Sequence, residues 1–366
     1  VPSVVFYISG HGFGHASREI EIIHALAARR PDWQMVLRTA VSPSLLERSL
    51  RVPFTLLAGV CDTGLVQRDS VTNDEEATTR DALAFYSTMD ARVEEECARL
   101  AAHDVQVIVG DIPPLAFEVA TRLGVPSVAI ANFTWDWIYE WHDGVRDAPG
   151  LLDRMRRAYR QATLALRLPL SPPLDVFPRV ESIPMVARAV ERPRADTRRA
   201  LGIADDRKVA LLSFGGYGLQ RLDVGALDCL DDWTVLLTDR IASSVAPSPS
   251  VVFLPESLLV SEFRYEDLVA ASDVVVTKPG YGIISECATY GTAMLYTSRG
   301  VFREYEVLVA EMPRIVRSRY LSQDALFAGQ WREALEALIA QPAPPERVDA
   351  TGAARAAALI AGLGFS

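Results

Sequence analysis

The stretch 270–286, Ala-Ala-Ser-Asp-Val-Val-Val-Thr-Lys-Pro-Gly-Tyr-Gly-Ile-Ile-Ser-Glu, constrains the fold of this chain more than any other. Val274, Val275 and Val276 are β-branched in succession, the pattern of a short strand buried on both faces. Lys278, Pro279, Gly280 and Gly282 end that strand, and residues 283–290 read as helix. A strand, a glycine turn and a helix start in succession form an anion site, because unpaired backbone N–H groups and the helix dipole point out of the turn. Glu286 follows about one helical turn past the glycines, where a carboxylate can accept hydrogen bonds from two vicinal hydroxyls. A diphosphate at the turn and a ribose at Glu286 would together describe a nucleotide-sugar site. An ordinary strand-to-helix connection is the alternative.

At 366 residues the chain exceeds the ~250–300 at which a single core stops growing, so two domains are expected. Strands read at 4–8, 34–39, 54–57, 105–109 and 127–130, alternating with helices at 16–29, 81–102 and 115–123. Such alternation predicts a parallel, doubly wound sheet. Residues 58–80 are polar and read as a long exposed loop. Six prolines between Pro169 and Pro193 mark a linker. A second alternating series follows, with strands at 209–213, 234–238, 251–254, 273–277 and 293–297, and a last helix at 347–363. The expected fold is therefore α/β, with two Rossmann-like domains facing across a cleft. The boundaries are 1–167, a linker 168–196, a second domain 197–345 and a final helix segment 346–366.

With 37 basic against 47 acidic residues, the net charge of −10 argues against nucleic acid and anionic membranes as partners. The four cysteines lack metal-ligand spacing, so neither zinc nor a disulfide framework is expected. No apolar run reaches the ~18 residues of a membrane span, and the start lacks a signal-peptide pattern, which makes the cytoplasm the expected location. The sequence carries no indication of oligomeric state.

After the first strand, Ser9-Gly-His-Gly-Phe-Gly-His15 departs from the dinucleotide fingerprint, and the second strand ends on Arg38-Thr39 without a ribose-binding acid. Histidines beside glycines at a strand end suit proton transfer instead, so His15 or His11 is a candidate base, with loop-fixing hydrogen bonds as the plainer reading. The positive end of a helix disfavours an imidazolium at His15 and leaves the ring able to accept a proton. Ser213-Phe-Gly-Gly-Tyr-Gly218 repeats the design in the second half and offers further N–H donors. Asp111 and Asp136 are candidates to orient a histidine, with a helix cap the plainer reading of Asp111 before Pro113. Trp135, Trp137, Tyr139 and Trp141 divide between core packing and acceptor contact.

These residues carry a resemblance. Lys278-Pro-Gly-Tyr-Gly-Ile-Ile-Ser-Glu286 resembles the donor-site motif of glycosyltransferases with the GT-B fold, and Gly10-His-Gly-Phe-Gly-His15 is similar to the glycine loop of the peptidoglycan N-acetylglucosaminyltransferase. Over nearly the whole chain the resemblance is to the glycosyltransferase-like N-terminal region of plant L-arabinokinases and its free-standing bacterial relatives. Gly12-Phe-Gly-His-Ala-Ser-Arg18, Asn132-Phe-Thr-Trp-Asp-Trp-Ile-Tyr139, Arg167-Leu-Pro and Phe214-Gly-Gly carry it together with the 278–286 motif. Kinase activity is not among what it implies.

The resemblance implies a metal-independent glycosyltransferase using a uridine-diphosphate sugar as co-substrate, with no other cofactor. Gly282 and Ile283 would give N–H groups to the diphosphate, with Gly215 and Gly216 nearby and Gly12, Gly14, Gly280 and Tyr281 also among the binding residues. Glu286 would hold the ribose, and the backbone near Ser261 and Phe263 would read the base. Arg303 and Glu304 would meet the donor sugar, although glutamine is commoner at the second position, which leaves that sugar open. Lys278 would neutralise phosphate. The acceptor is not specified. A non-catalytic sugar-nucleotide-binding module and a nucleotide-sugar 2-epimerase using Glu304 and Asp136 are the alternatives.

Overall fold

The computed structural model describes residues 1–11, 13–68, 72–214, 222–238, 250–255, 258 and 262–364. β1 (Pro2–Ile8), β2 (Gln34–Thr39), β3 (Phe54–Ala58), β4 (Asp104–Asp111), β5 (Ser127–Ala131), β6 (Leu164–Arg167) and β7 (Val180–Ser182) form one sheet, in the order β3-β2-β1-β4-β5-β6-β7. β8 (Lys208–Ser213), β9 (Trp233–Thr238), β10 (Val251–Leu254), β11 (Val274–Thr277), β12 (Ala293–Tyr296) and β13 (Ser318–Tyr320) form the second, in the order β10-β9-β8-β11-β12-β13. All the strand pairs are parallel. Central strands such as Val4 to Ile8 are wholly buried, as helices on both faces require. The α/β architecture of two doubly wound domains matches the expectation.

Each sheet reverses its strand order once, between β1 and β4 and between β8 and β11. In open parallel sheets the carboxyl ends of the strands flanking such a reversal form the ligand crevice. The helix α1 (Phe13–Arg29) follows β1 at the first reversal, and the helix Tyr281–Tyr290 follows β11 at the second. The topology therefore delivers both glycine-bearing turns to crevices.

Three local readings differ from the structure. The helix expected at 81–102 is two helices, Glu75–Ser87 and Met89–Leu100. It starts early because Asp74 caps it, accepting from the Ala77 N–H at 3.0 Å, and it breaks at Thr88, whose hydroxyl donates to the Phe85 carbonyl. The loop before it is not simply exposed, since Cys61, Asp62 and Leu65 are buried. The Pro-rich stretch read as a linker contains β7, which pairs with β6.

The last helix, Gly352–Leu363, packs on α1 of the first half. The chain thus crosses between the halves twice, and the crossings bond to each other: Met185 N–H donates to the Asp349 carbonyl at 2.9 Å, and Gly352 N–H to the Met185 carbonyl at 3.0 Å. Among the described residues, no helix is long and apolar enough to cross a membrane.

A side chain has no room at this crossing. A Cβ on Gly352 would lie 2.2 Å from the Pro184 carbonyl oxygen and 2.6 Å from that of Met185. Backbone cannot yield as a side-chain tip can, so Gly352→Ala should destabilise the protein by about 1–3 kcal/mol. An unchanged midpoint in urea unfolding would show that the crossing is looser than its geometry implies.

Candidate active site

The first wall is built at the carboxyl ends of β1 and β4, held together there by the Ser9 N–H donating to the Asp111 carbonyl at 2.8 Å. His15, on the first turn of α1, places Nδ1 2.8 Å from Asp111 Oδ1. Arg18, one turn on, grips both oxygens of the same carboxylate and donates to Asn132 Oδ1 at 2.6 Å. Burial works against a charged Asp111, but the Arg18 guanidinium and His15 outweigh it and hold its carboxyl down at about 2. Asp111 therefore stays an acceptor. Arg18 Nη2 also lies 3.1 Å from His15 Nδ1, but Nη2 and Nη1 already donate to Asp111 and Asn132, so an Nδ1–H directed at Asp111 leaves Nε2 as the nitrogen that can accept a proton.

A second histidine stands beside the first. His11 Nε2 lies 3.5 Å from Asp62 Oδ1, and Asp62 is fixed by the Trp135 indole N–H at 2.8 Å. The loop that brings Asp62 there is fastened by the Tyr139 hydroxyl, which donates to the Gly64 carbonyl at 2.6 Å and lies 3.0 Å from Thr63 Oγ1. Gly64 has φ +53°, and a Cβ there would sit 2.2 Å from the His11 ring, so the position requires glycine. The His11 side chain is 36% exposed and that of His15 10%. Asp62 was not singled out in the sequence; nothing near it in the chain marks it.

Across the crevice, the helix Tyr281–Tyr290 begins at Gly280, with no side-chain cap. Its first internal bond is Ile284 N–H to the Gly280 carbonyl, so the N–H groups of Tyr281, Gly282 and Ile283 have no partner within the helix. A Cβ built on Gly282 would come within 3.6 Å of Gly14 Cα. The two glycine turns thus face each other directly. Tyr281 itself is buried, its hydroxyl accepting from the Val186 N–H at 3.1 Å and its ring lying under Arg18. Lys278 is half-buried beside the turn.

The segment after β12 reaches into the first half. Val301 accepts from Asn73 Nδ2 at 2.7 Å, and Phe302 packs edge-on to Phe133, at 6.1 Å between centroids. Arg303 lies over Trp137 and donates to the Trp137 carbonyl and to Glu140. Glu304 is buried, with Oε1 accepting from Asn132 Nδ2 at 2.7 Å and Oε2 from Arg299 at 3.1 Å. Trp135 and Tyr139 are core residues, whereas Trp141 is exposed.

The structure therefore brings together Gly14, His15, Gly280, Tyr281, Gly282 and Ile283, and ties Glu304 to the same network. Three other candidates stand differently. Glu286 is buried, with Oε1 taken by Arg188 Nε at 2.5 Å and Oε2 without a partner. Arg188 belongs to the Pro-rich stretch and also pairs with Glu266 at 3.1 Å. Asp136 accepts from Arg156 at 3.2 Å rather than orienting a histidine, and burial pushes its carboxyl up against the pull of Thr134 and Arg156. Phe263 is buried under Arg192. Gly12, Gly215, Gly216 and Ser261 lie outside the described residues.

Glu19, also on α1, is wholly buried, and neither of its oxygens, as a carboxylate, has a hydrogen-bond partner. Burial, reinforced by the Asp111 charge and by a hydrogen bond that only a protonated Glu19 can donate to Asp111, pushes its carboxyl well above the usual range against the pull of Arg18. The unfolded chain then releases a proton near the ordinary glutamate value of about 4.3 that the native state retains. Stability from this group is present below that pH and lost as pH rises toward the native value. Glu19→Gln removes the titration, so its stability relative to the parent should grow between pH 4 and pH 8, by up to about 1.4 kcal/mol per unit. Equal differences by urea unfolding at both pH values would refute a neutral Glu19.

No family model matches the chain. It is 28% identical over 341 residues to L-arabinokinase of Arabidopsis thaliana, covering 90% of this chain and 31% of that protein. The chain thus spans about a third of that relative's length. It is 27% identical over 303 residues to an uncharacterized glycosyltransferase of Methanopyrus kandleri, covering 76% of this chain and 81% of the relative. Among solved structures, the calicheamicin glycosyltransferase CalG4 superposes with a TM-score of 0.65 at 17% identity, over 98% of both chains. The chain thus has the two-domain GT-B fold, and its sequence is similar to a glycosyltransferase and to part of an arabinokinase.

Proposed function

We propose that the chain transfers a sugar from a nucleoside-diphosphate sugar to an acceptor hydroxyl, with His15 as the base. The observation that carries this reading is the approach of two turns across the crevice: the uncapped helix start at Gly280–Ile283 faces the loop holding the His15–Asp111 pair. His15 Nε2 takes the acceptor proton while the acceptor oxygen bonds to the anomeric carbon. The bond from that carbon to the diphosphate oxygen breaks, and its electron pair leaves on the diphosphate. Asp111 steadies the imidazolium, and the helix N–H groups together with Lys278 meet the leaving charge, so no metal ion is needed.

Uridine diphosphate is the donor nucleotide that the 278–286 motif implies, with Glu286 Oε2 the oxygen left for a ribose hydroxyl. The four free thiols suit the reducing cytoplasm to which we assign the reaction. Binding without turnover keeps one support, since the Arabidopsis relative is named a kinase and this region is about a third of it.

Incubation with uridine-diphosphate sugars in the presence of EDTA and small hydroxylated acceptors tests the proposal. The protein should release uridine diphosphate, and His15→Ala should slow release by about 10²–10⁴-fold, the usual range for a general base. Binding of sugar nucleotides with no release would establish the binding-only reading, and a changed sugar on the intact nucleotide would establish epimerisation. Glu286→Ala should weaken uridine diphosphate by about 1.5–3 kcal/mol in calorimetry, the scale of a charge-assisted hydrogen bond. Undiminished affinity in a folded variant would remove Glu286 from the donor site.

A further inference from the structure

Asn132, at the end of β5, lies wholly buried between the halves of the molecule. Its Oδ1 accepts from Arg18 Nη1 at 2.6 Å, and its Nδ2 donates to Glu304 Oε1 at 2.7 Å. Arginine can only donate and an ionised carboxylate only accept, so these partners fix which way the amide points. The bonds are consecutive: His15 to Asp111, Asp111 to Arg18, Arg18 to Asn132, Asn132 to Glu304, and Glu304 to Arg299, which donates in turn to the Pro279 carbonyl beside the glycine turn at 3.0 Å. Arg18, Asp111, Asn132 and Glu304 are all buried, where each bond is strong and each broken one costly.

We propose that Asn132 is a positioning residue that couples the base to the donor half. With the halves together, its amide holds Arg18 in the place that presents the Asp111 carboxylate to His15. When they separate, the Glu304 partner is lost and the amide is no longer held at both ends. A carboxylate has lone pairs for about four hydrogen bonds, so Glu304 can accept sugar hydroxyls while keeping Asn132 and Arg299. A donor sugar held on Glu304 therefore keeps that residue, and the second half with it, against Asn132, and so maintains the arrangement that orients the base. Bond cleavage is thereby favoured when acceptor activation is also in place, which limits loss of donor to water. This inference rests on the glycosyl-transfer reading for its chemistry, but the coupling has a measurable consequence without turnover.

The charged and titratable groups around His15 are Asp111 on β4, Arg18 and Glu19 on α1, His11 with Asp62 across the Trp135 ring, Tyr281 under Arg18, and, through Asn132, Glu304 and Arg299. Asn132→Asp keeps an acceptor for Arg18 but faces Glu304 with a second carboxylate. The added negative charge favours the imidazolium, so the His15 titration midpoint should rise by about half a unit or more, and turnover should fall about tenfold or more. Affinity for bare uridine diphosphate should not change. Combining Asn132→Asp with Glu304→Gln restores one donor and one acceptor across the gap, and should return the midpoint toward that of the parent. The double variant also provides a readout if the single one does not fold. The His15 ring can be followed by NMR, because the chain has only five histidines and His15→Gln identifies its signal. An unmoved His15 midpoint in an Asn132→Asp protein that melts like the parent overturns the coupling, as does a double variant displaced as far as the single. If the parent releases no nucleotide from any sugar donor, the transfer reading falls, and the titration alone decides the coupling.

Discussion

The site depends on one buried charge pair, Arg18 with Asp111. A carboxylate and a guanidinium withdrawn from water cost several kcal/mol each, and their attraction offsets this only when the remaining hydrogen-bonding groups are also satisfied. Here those groups are His15 and Asn132, so the residues that complete the pair are the ones that define the crevice. The pair joins α1 to the end of β4 at the point where the strand order reverses. It therefore fixes the one helix whose first turn carries the imidazole, and removing either partner would leave an uncompensated charge in the first half.

Besides the helices that pack on α1, a short segment that ends at Glu304 joins the second half to the first. Phe302 joins the apolar cluster that contains Phe133 and Trp135, and the arginines on either side of it make polar contacts. Arg299 lies over the Phe302 ring as well as bonding Glu304. An aromatic anchor flanked by cations can be released without exposing a large apolar face, since one ring leaves the cluster and the charges are readily hydrated.

What the sequence made legible was local. The strand, glycine turn and helix at 270–290 are encoded by neighbouring residues, and the alternation of strands and helices by period, so both were readable. Partners distant in the chain were less so. Asp111, 96 residues from His15, is a candidate to orient a histidine, but beside Pro113 it reads more plainly as a cap. Asp62 sits in a polar stretch whose burial comes from Trp135 and Tyr139, far along the chain. Proline density at 169–193 reads as a linker, but composition says nothing about β7 within it, nor about Arg188, which takes an oxygen of Glu286 that the motif alone reserves for a ribose. The break at Thr88 was also hidden, because helical periodicity continues on both sides of it.

The two chain crossings act as more than a tether. Since Met185, Asp349 and Gly352 are bonded to one another, the crossings are joined at one place and cannot slide past each other without breaking those bonds. Tyr281 is anchored to Val186, the residue next to that junction. The helix start at Gly280 is therefore tied to the place where the chain passes between the halves, and a phosphate held there would share the footing of the crossing itself.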